Sequence, residues 1–142
     1  MKLPVLLAWL ALCVPAAAQP TVMGTWLTQN RDGVVNIHAC PTGLCGDVVG
    51  ITGFQPNGAP PVDVQGRSRC HLQIIPDGHP DDDGLWFGHI TNPDDGQTYT
   101  IEVQPDGPDR LRMRGYIGLP LLGSTVYWTR FTGKLTPDCH IE

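Results

Sequence analysis

The chain has 142 residues, 41% hydrophobic and 16% charged, a size and balance that fit one folded domain and exclude a disordered acidic chain. Its 17 glycines and 14 prolines divide it into short elements and exclude a long-helix protein. The net charge of −5 excludes nucleic acid as a partner, because phosphate binding needs a basic face.

Residues 1–18 read as a bacterial-type export signal. Lys2 supplies the positive charge, Val5 to Val14 the apolar run, and Ala16-Ala17-Ala18 the small residues before cleavage at Gln19. The apolar run is about half the length a membrane span needs and no later stretch approaches it, so stable membrane insertion is not expected. Cys13 would be an acylation site only with a small residue before it, and Leu12 stands there instead. The mature domain is therefore 19–142, expected in the periplasm of a Gram-negative bacterium.

Loss of Cys13 leaves Cys40, Cys45, Cys70 and Cys139, an even set in an oxidising compartment, with three possible pairings. A hairpin turn within Pro41 to Leu44 favours Cys40 with Cys45, which leaves Cys70 with Cys139.

Along the mature chain, short alternating apolar runs are separated by Gly, Pro, Asn and Asp clusters, the pattern of an all-β protein. Eight strands are predicted, over 22–28, 34–40, 47–52, 69–75, 85–91, 98–104, 110–117 and 125–131. The segment 54–68 is long enough to cover one end of the structure. Tyr99, Ile101 and Val103 alternate with polar neighbours, as do Leu111 and Met113 with Arg110, Arg112 and Arg114. Pairing these two strands sets Glu102 opposite Arg112 and Ile101 opposite Met113, with matching faces. In 85–91, either Trp86, Gly88 and Ile90 or Leu85, Phe87 and His89 point inward. Eight antiparallel strands with one apolar face close most economically as a single barrel, with a two-sheet sandwich as the alternative.

Several motifs in order carry a resemblance: Gly24-Thr25-Trp26, Leu44-Cys45-Gly46, Trp86-x-Gly88-x-Ile90 and Asn92-Pro93-x-Asp95-Gly96-x-Thr98-Tyr99. The run from Arg114-Gly115-Tyr116 to Pro120-Leu121-Leu122-Gly123 and the closing Trp128-Thr129-Arg130 complete it. The chain resembles the DUF2147 family of small exported bacterial proteins over essentially its whole mature length. The resemblance implies a lipocalin-like, or calycin-like, eight-stranded antiparallel barrel with a suspected ligand and no established catalytic residues. Two features depart from the family pattern: a short, Pro-rich 54–68 and the pair Cys70 and Cys139. Gly-x-Trp with an Arg on the last strand also resembles the calycin signature, which assigns Trp26 and Arg130 to a stacked pair sealing one barrel end.

No nucleophile elbow, zinc-protease helix, phosphate loop or Cys-x-x-Cys pair is present, so catalysis is not expected; an enzyme would have to be assembled from scattered residues such as His89 and an acidic neighbour. No cofactor is expected. The acidic stretch Asp77 to Gly84 reads as a solvated turn. His71 and His140, each following a disulfide cysteine, are a weak candidate for metal. The inward face supplies Ile37, Ile74, Trp86, Tyr99, Ile101, Met113 and Trp128, either a lumen for a small, mainly apolar ligand with Tyr99 orienting a polar group, or a filled core. Arg110, Arg112 and Arg114 beside Leu119, Leu121 and Leu122 could dock on a partner or a membrane. The preferred reading pairs these arginines with acids and uses the leucines to plug the barrel end. The leading function is thus non-covalent binding of an apolar molecule in the lumen; the alternative is an envelope interaction or structural protein with a filled core, acting through its outer surface, its protein partner unspecified.

Overall fold

The computed structural model describes residues 13–15 and 21–142, so the leader expected at 1–18 lies almost wholly outside the described residues. Eight strands follow one another: β1 (Gly24–Leu27), β2 (Gly33–Cys40), β3 (Gly43–Ile51), β4 (Gln73–Pro80), β5 (Trp86–Thr91), β6 (Thr98–Pro105), β7 (Arg110–Tyr116) and β8 (Ser124–Arg130). One 3-10 turn, Pro120–Leu122, lies between the last two. Each strand pairs antiparallel with its chain neighbours, and β8 returns to β1, so the sheet is a closed barrel. Closure leaves no free sheet edge, and it gathers the alternating apolar residues into one interior.

The strand count of the sequence reading stands; several boundaries and one register do not. β3 begins at Gly43 rather than Asp47, because the β2–β3 turn is only Pro41-Thr42 and Cys40 pairs directly with Gly43. Cys45 then sits across from His38, and its disulfide reaches Cys40 diagonally over a Cα separation of 5.8 Å. β4 starts at Gln73 rather than Arg69. Cys70 is drawn to Cys139 and His71 adopts φ of 62°, so Arg69 to Leu72 form a turn closed by the Leu72 amide on the Arg69 carbonyl at 3.2 Å. The strand runs on to Pro80, so the acidic stretch is not one turn: Asp77 to Pro80 lie in β4, and only Asp81 to Gly84 reverse the chain. Between β6 and β7, Glu102 faces Arg114 and Met113 faces Val103, two residues from the expected pairing. A slip of two keeps every side chain on its face; the four-residue turn Asp106 to Asp109, closed by the Asp106 amide on the Arg110 carbonyl, sets the register.

Two seams of the barrel are thin. β1 meets β8 through Trp26–Arg130 and Leu27–Thr129, and β4 meets β5 in register at His79–Phe87 and Pro80–Trp86. Beyond those pairs the Asp77 carboxylate spans the second seam, accepting from the His89 backbone amide at 2.8 Å and lying 2.6 Å from His89 Nδ1. Gly88 permits the approach, since a side chain there would meet Gly78 backbone and Asp77. Trp86, Gly88 and Ile90 are the inward set of β5.

The connections alternate between two ends. Those after β2, β4 and β6 lie with the chain start at one end; those after β1, β3, β5 and β7 ring the other. The tail packs along β3: the Ile51 amide donates to the Cys139 carbonyl at 2.9 Å, His140 stacks on Phe54 with ring centroids 3.7 Å apart, and the Cys70–Cys139 disulfide fixes it.

Candidate functional site

One end of the barrel is sealed by chemistry that the first and last strands supply together. Trp26 is fully buried, its indole N–H donates to the Val22 carbonyl at 2.9 Å, and the Arg130 guanidinium lies 4.0 Å over its ring. Arg130 also donates to the carbonyls of Pro108 at 3.0 Å and Met23 at 3.2 Å. A flat cation with several in-plane donors can stack and bond at once, which a lysine cannot. Gly24 is glycine for the same reason: its φ is 126°, and a side chain there would collide with the guanidinium. The Gly-Thr-Trp motif and the distant arginine are therefore one structural unit.

Above this plug the interior is only partly filled. A cavity of about 640 Å³ opens toward the other end, within the range that holds one small molecule. Of the seven expected lumen residues, Ile74, Tyr99, Ile101, Met113 and Trp128 line it. Ile37 and Trp86 do not. They belong to the packed core nearer the sealed end, because inward facing alone does not tell how far along the barrel a residue lies. Val35, Val48, Ile51, Ile90 and Val126 add to the apolar wall. Tyr99 presents its ring to the cavity, but its hydroxyl donates to Asp95 at 3.1 Å, so it is committed to the β5–β6 turn instead of a ligand. That hydrogen bond, with partial desolvation, holds the phenol above its usual range.

The polar lining belongs to the mouth: Thr28, Asn30 and Asp32 from the β1–β2 turn, Arg69 from the β3–β4 connection, and Asn92 and Asp94 from the β5–β6 turn. Arg69 joins two of these loops, donating to Asp94 at 2.6 Å and to the Val62 carbonyl at 2.9 Å. The segment 54–68 thus stands at the mouth and is tied to its neighbour through Arg69. Sequence reading assigned Arg69 to a strand, and only its place next to a disulfide cysteine hinted at a turn.

Other ionisable groups lie away from the cavity. The acidic neighbour of His89 is Asp77, and the pair braces the β4–β5 seam from outside. Partial burial pushes the Asp77 carboxyl up, but the hydrogen bonds from His89 outweigh it and hold it below its ordinary 3.8. His38 Nε2 lies 2.5 Å from Asp47 Oδ2 across β2 and β3, and this bond holds the imidazole above its ordinary 6.5. Asp63 is buried; desolvation would raise it, yet three hydrogen bonds from Arg67 and Gln65 keep it low. The metal expectation fares differently. His71 gathers with Cys70 and Cys139, whose sulfurs are spent in the disulfide. Its Nε2 lies 2.8 Å from the Pro137 carbonyl, while His140 is stacked on Phe54. Each histidine thus has a contact of its own.

The leucines do not plug the barrel. Leu119, Leu121 and Leu122 are 65%, 88% and 75% exposed, because the 3-10 turn carries them outward over the mouth. Nor does Glu102 neutralise the arginines. Arg110 pairs with Asp106 and covers the Tyr127 ring, and Arg114 donates to the Pro120 carbonyl at 2.7 Å and to Thr125 at 3.1 Å.

Residues 24–130, which include both halves of the plug and every strand of the barrel, match the family DUF2147, described as an uncharacterized protein conserved in bacteria. The chain belongs to the DUF2147 family. A solved structure similar to this DUF2147 protein is HP1028 from Helicobacter pylori, described as belonging to the lipocalin family. It has a TM-score of 0.64 and 16% identity, covering 80% of this chain and 85% of that one. At that identity the likeness shows the fold, a lipocalin-like barrel. No curated protein matches the sequence.

Proposed function

We propose that this DUF2147 protein binds one small, mainly apolar molecule in its lumen, non-covalently, and that it works in the periplasm. The observation that carries the reading is the cavity of about 640 Å³, walled by Ile74, Ile101, Met113, Val126 and Trp128 and sealed at one end. A well-packed domain of this size ordinarily leaves no void larger than a few waters. The polar residues at the mouth favour an elongated molecule with an apolar body inside and a polar end near Arg69 and Asn92. The lipocalin-like fold supports ligand carriage over chemistry, and no reaction step belongs to this reading. Two disulfides and the composition of residues 1–18 support export, and among the described residues no helix is long and apolar enough to cross a membrane.

Native mass spectrometry of gently released protein, followed by solvent extraction, tests this. A stoichiometric small-molecule adduct is expected. Met113→Trp, which sets an indole across the middle of the lumen, is expected to lose the adduct while retaining the wild-type circular dichroism spectrum. An unchanged adduct in that variant would place the ligand elsewhere.

A further inference from the structure

Nine large hydrophobic side chains are exposed among the described residues, and six of them ring the mouth: Val62, Val64, Ile117, Leu119, Leu121 and Leu122. Four fall within the six residues Ile117 to Leu122, on a turn that Arg114 pins from beneath through the Pro120 and Gly123 carbonyls. So many apolar side chains held out on a braced projection signal an interaction surface rather than scattered exposure. The patch also continues inward, because Ile117 and Leu122 line the cavity.

Charge along the barrel axis indicates what covers it. The sealed-end connections carry Asp81, Asp82, Asp83, Asp106 and Asp109 with no basic residue, whereas those at the mouth carry Arg31, Arg67 and Arg69 against Asp32, Asp63, Asp94 and Asp95. Asp63 and Asp94 are already paired with Arg67 and Arg69. Among the basic residues that follow, Arg114 lies under the leucine turn, while Arg110, paired with Asp106, and Arg130 of the plug stand at the sealed end, and the tail sets Asp138 near the mouth beside the Cys70–Cys139 disulfide. The protein is acidic overall, and its carboxylates are densest at the sealed end, so the face bearing the leucines is the less acidic of the two.

We propose that the mouth docks peripherally on a phospholipid surface, with Leu119 and Leu121 entering the interfacial region and the acidic sealed end pointing away. Burial of the leucines drives the contact, and repulsion of the carboxylate-dense sealed end from an anionic leaflet orients it. The surface goes beyond the lumen reading and does not need it: docking is read by flotation, lumen occupancy by the adduct mass.

The test is flotation with vesicles of equimolar phosphatidylethanolamine and phosphatidylglycerol, using protein as the producing cell processes it, so that all variants share one N-terminus. Wild-type protein is expected to float, and the double variant Leu119→Asp, Leu121→Asp to lose about tenfold or more of the bound fraction. Neither residue is buried or lines the cavity, so both aspartates stay solvated. Leu119→Phe with Leu121→Phe is expected to restore binding. Wild-type protein that stays at the bottom, an aspartate variant that floats like wild type, or a tip that only joins two copies of the chain in sedimentation would each overturn the proposal.

Discussion

Arg130 does at one position what several residues do elsewhere: it covers Trp26, bonds two carbonyls from different connections, and requires Gly24 to lack a side chain. Arg130→Ala removes the stacking and leaves the Pro108 and Met23 carbonyls without that donor, so unfolding free energy should fall by about 2–4 kcal/mol. Arg130→Lys should recover only part of this, because an ammonium cannot keep the planar stack and both bonds. Chemical denaturation of the two variants measures the difference. The motif made this pair legible in the sequence. His38 and Asp47 were not, because their contact depends on a two-strand register that the short turn sets. His38 has its folded-state pKa raised by the Asp47 bond, so the stabilisation is complete below the ordinary 6.5 and is lost as pH rises through the folded value. Melting temperature should therefore decline on the alkaline side of pH 6.5 in wild type and stay flatter in His38→Gln. Parallel curves would refute the assignment.

At the scale of elements, alternation and turn chemistry made all eight strands visible, and the failures cluster where something non-local intervenes. β4 was displaced because the Cys70–Cys139 bridge and the left-handed His71 consume residues that alternate like a strand. The same bridge holds the C-terminal tail against β3, over a sequence separation of 69. In the loop-entropy picture a crosslink of that span contributes about 4 kcal/mol, against about 2 for the Cys40–Cys45 loop. Replacing Cys70 and Cys139 together by alanine should therefore lower the melting temperature more than replacing Cys40 and Cys45, measured by calorimetry on both double variants. The thin seams carry a related lesson. Where β1 meets β8 and β4 meets β5 the ladders are short, and a side-chain pair drawn from both strands braces each of them.

For the whole molecule, strand number and single-faced alternation determined an all-β fold and favoured a closed barrel over a two-sheet sandwich, the cysteine count determined two disulfides, and the motifs determined the family. Those properties follow from local rules: a period of two, the backbone needs of turns, and the even pairing of thiols. Whether the barrel is full or hollow could not follow from them, because a list of inward residues fixes the wall and leaves open the distance across it. Ile37 and Trp86 face inward as Ile101 and Met113 do, yet the first two belong to the packed core and the second two border open space. The leucines were equally undecided in one dimension, since the same Pro-Leu-Leu turn could fold in as a stopper or stand out as a rim. Tertiary structure decided both. Arg114 holds the turn outward, and the spacing of strands around the barrel sets a lumen wider than the side chains that line it.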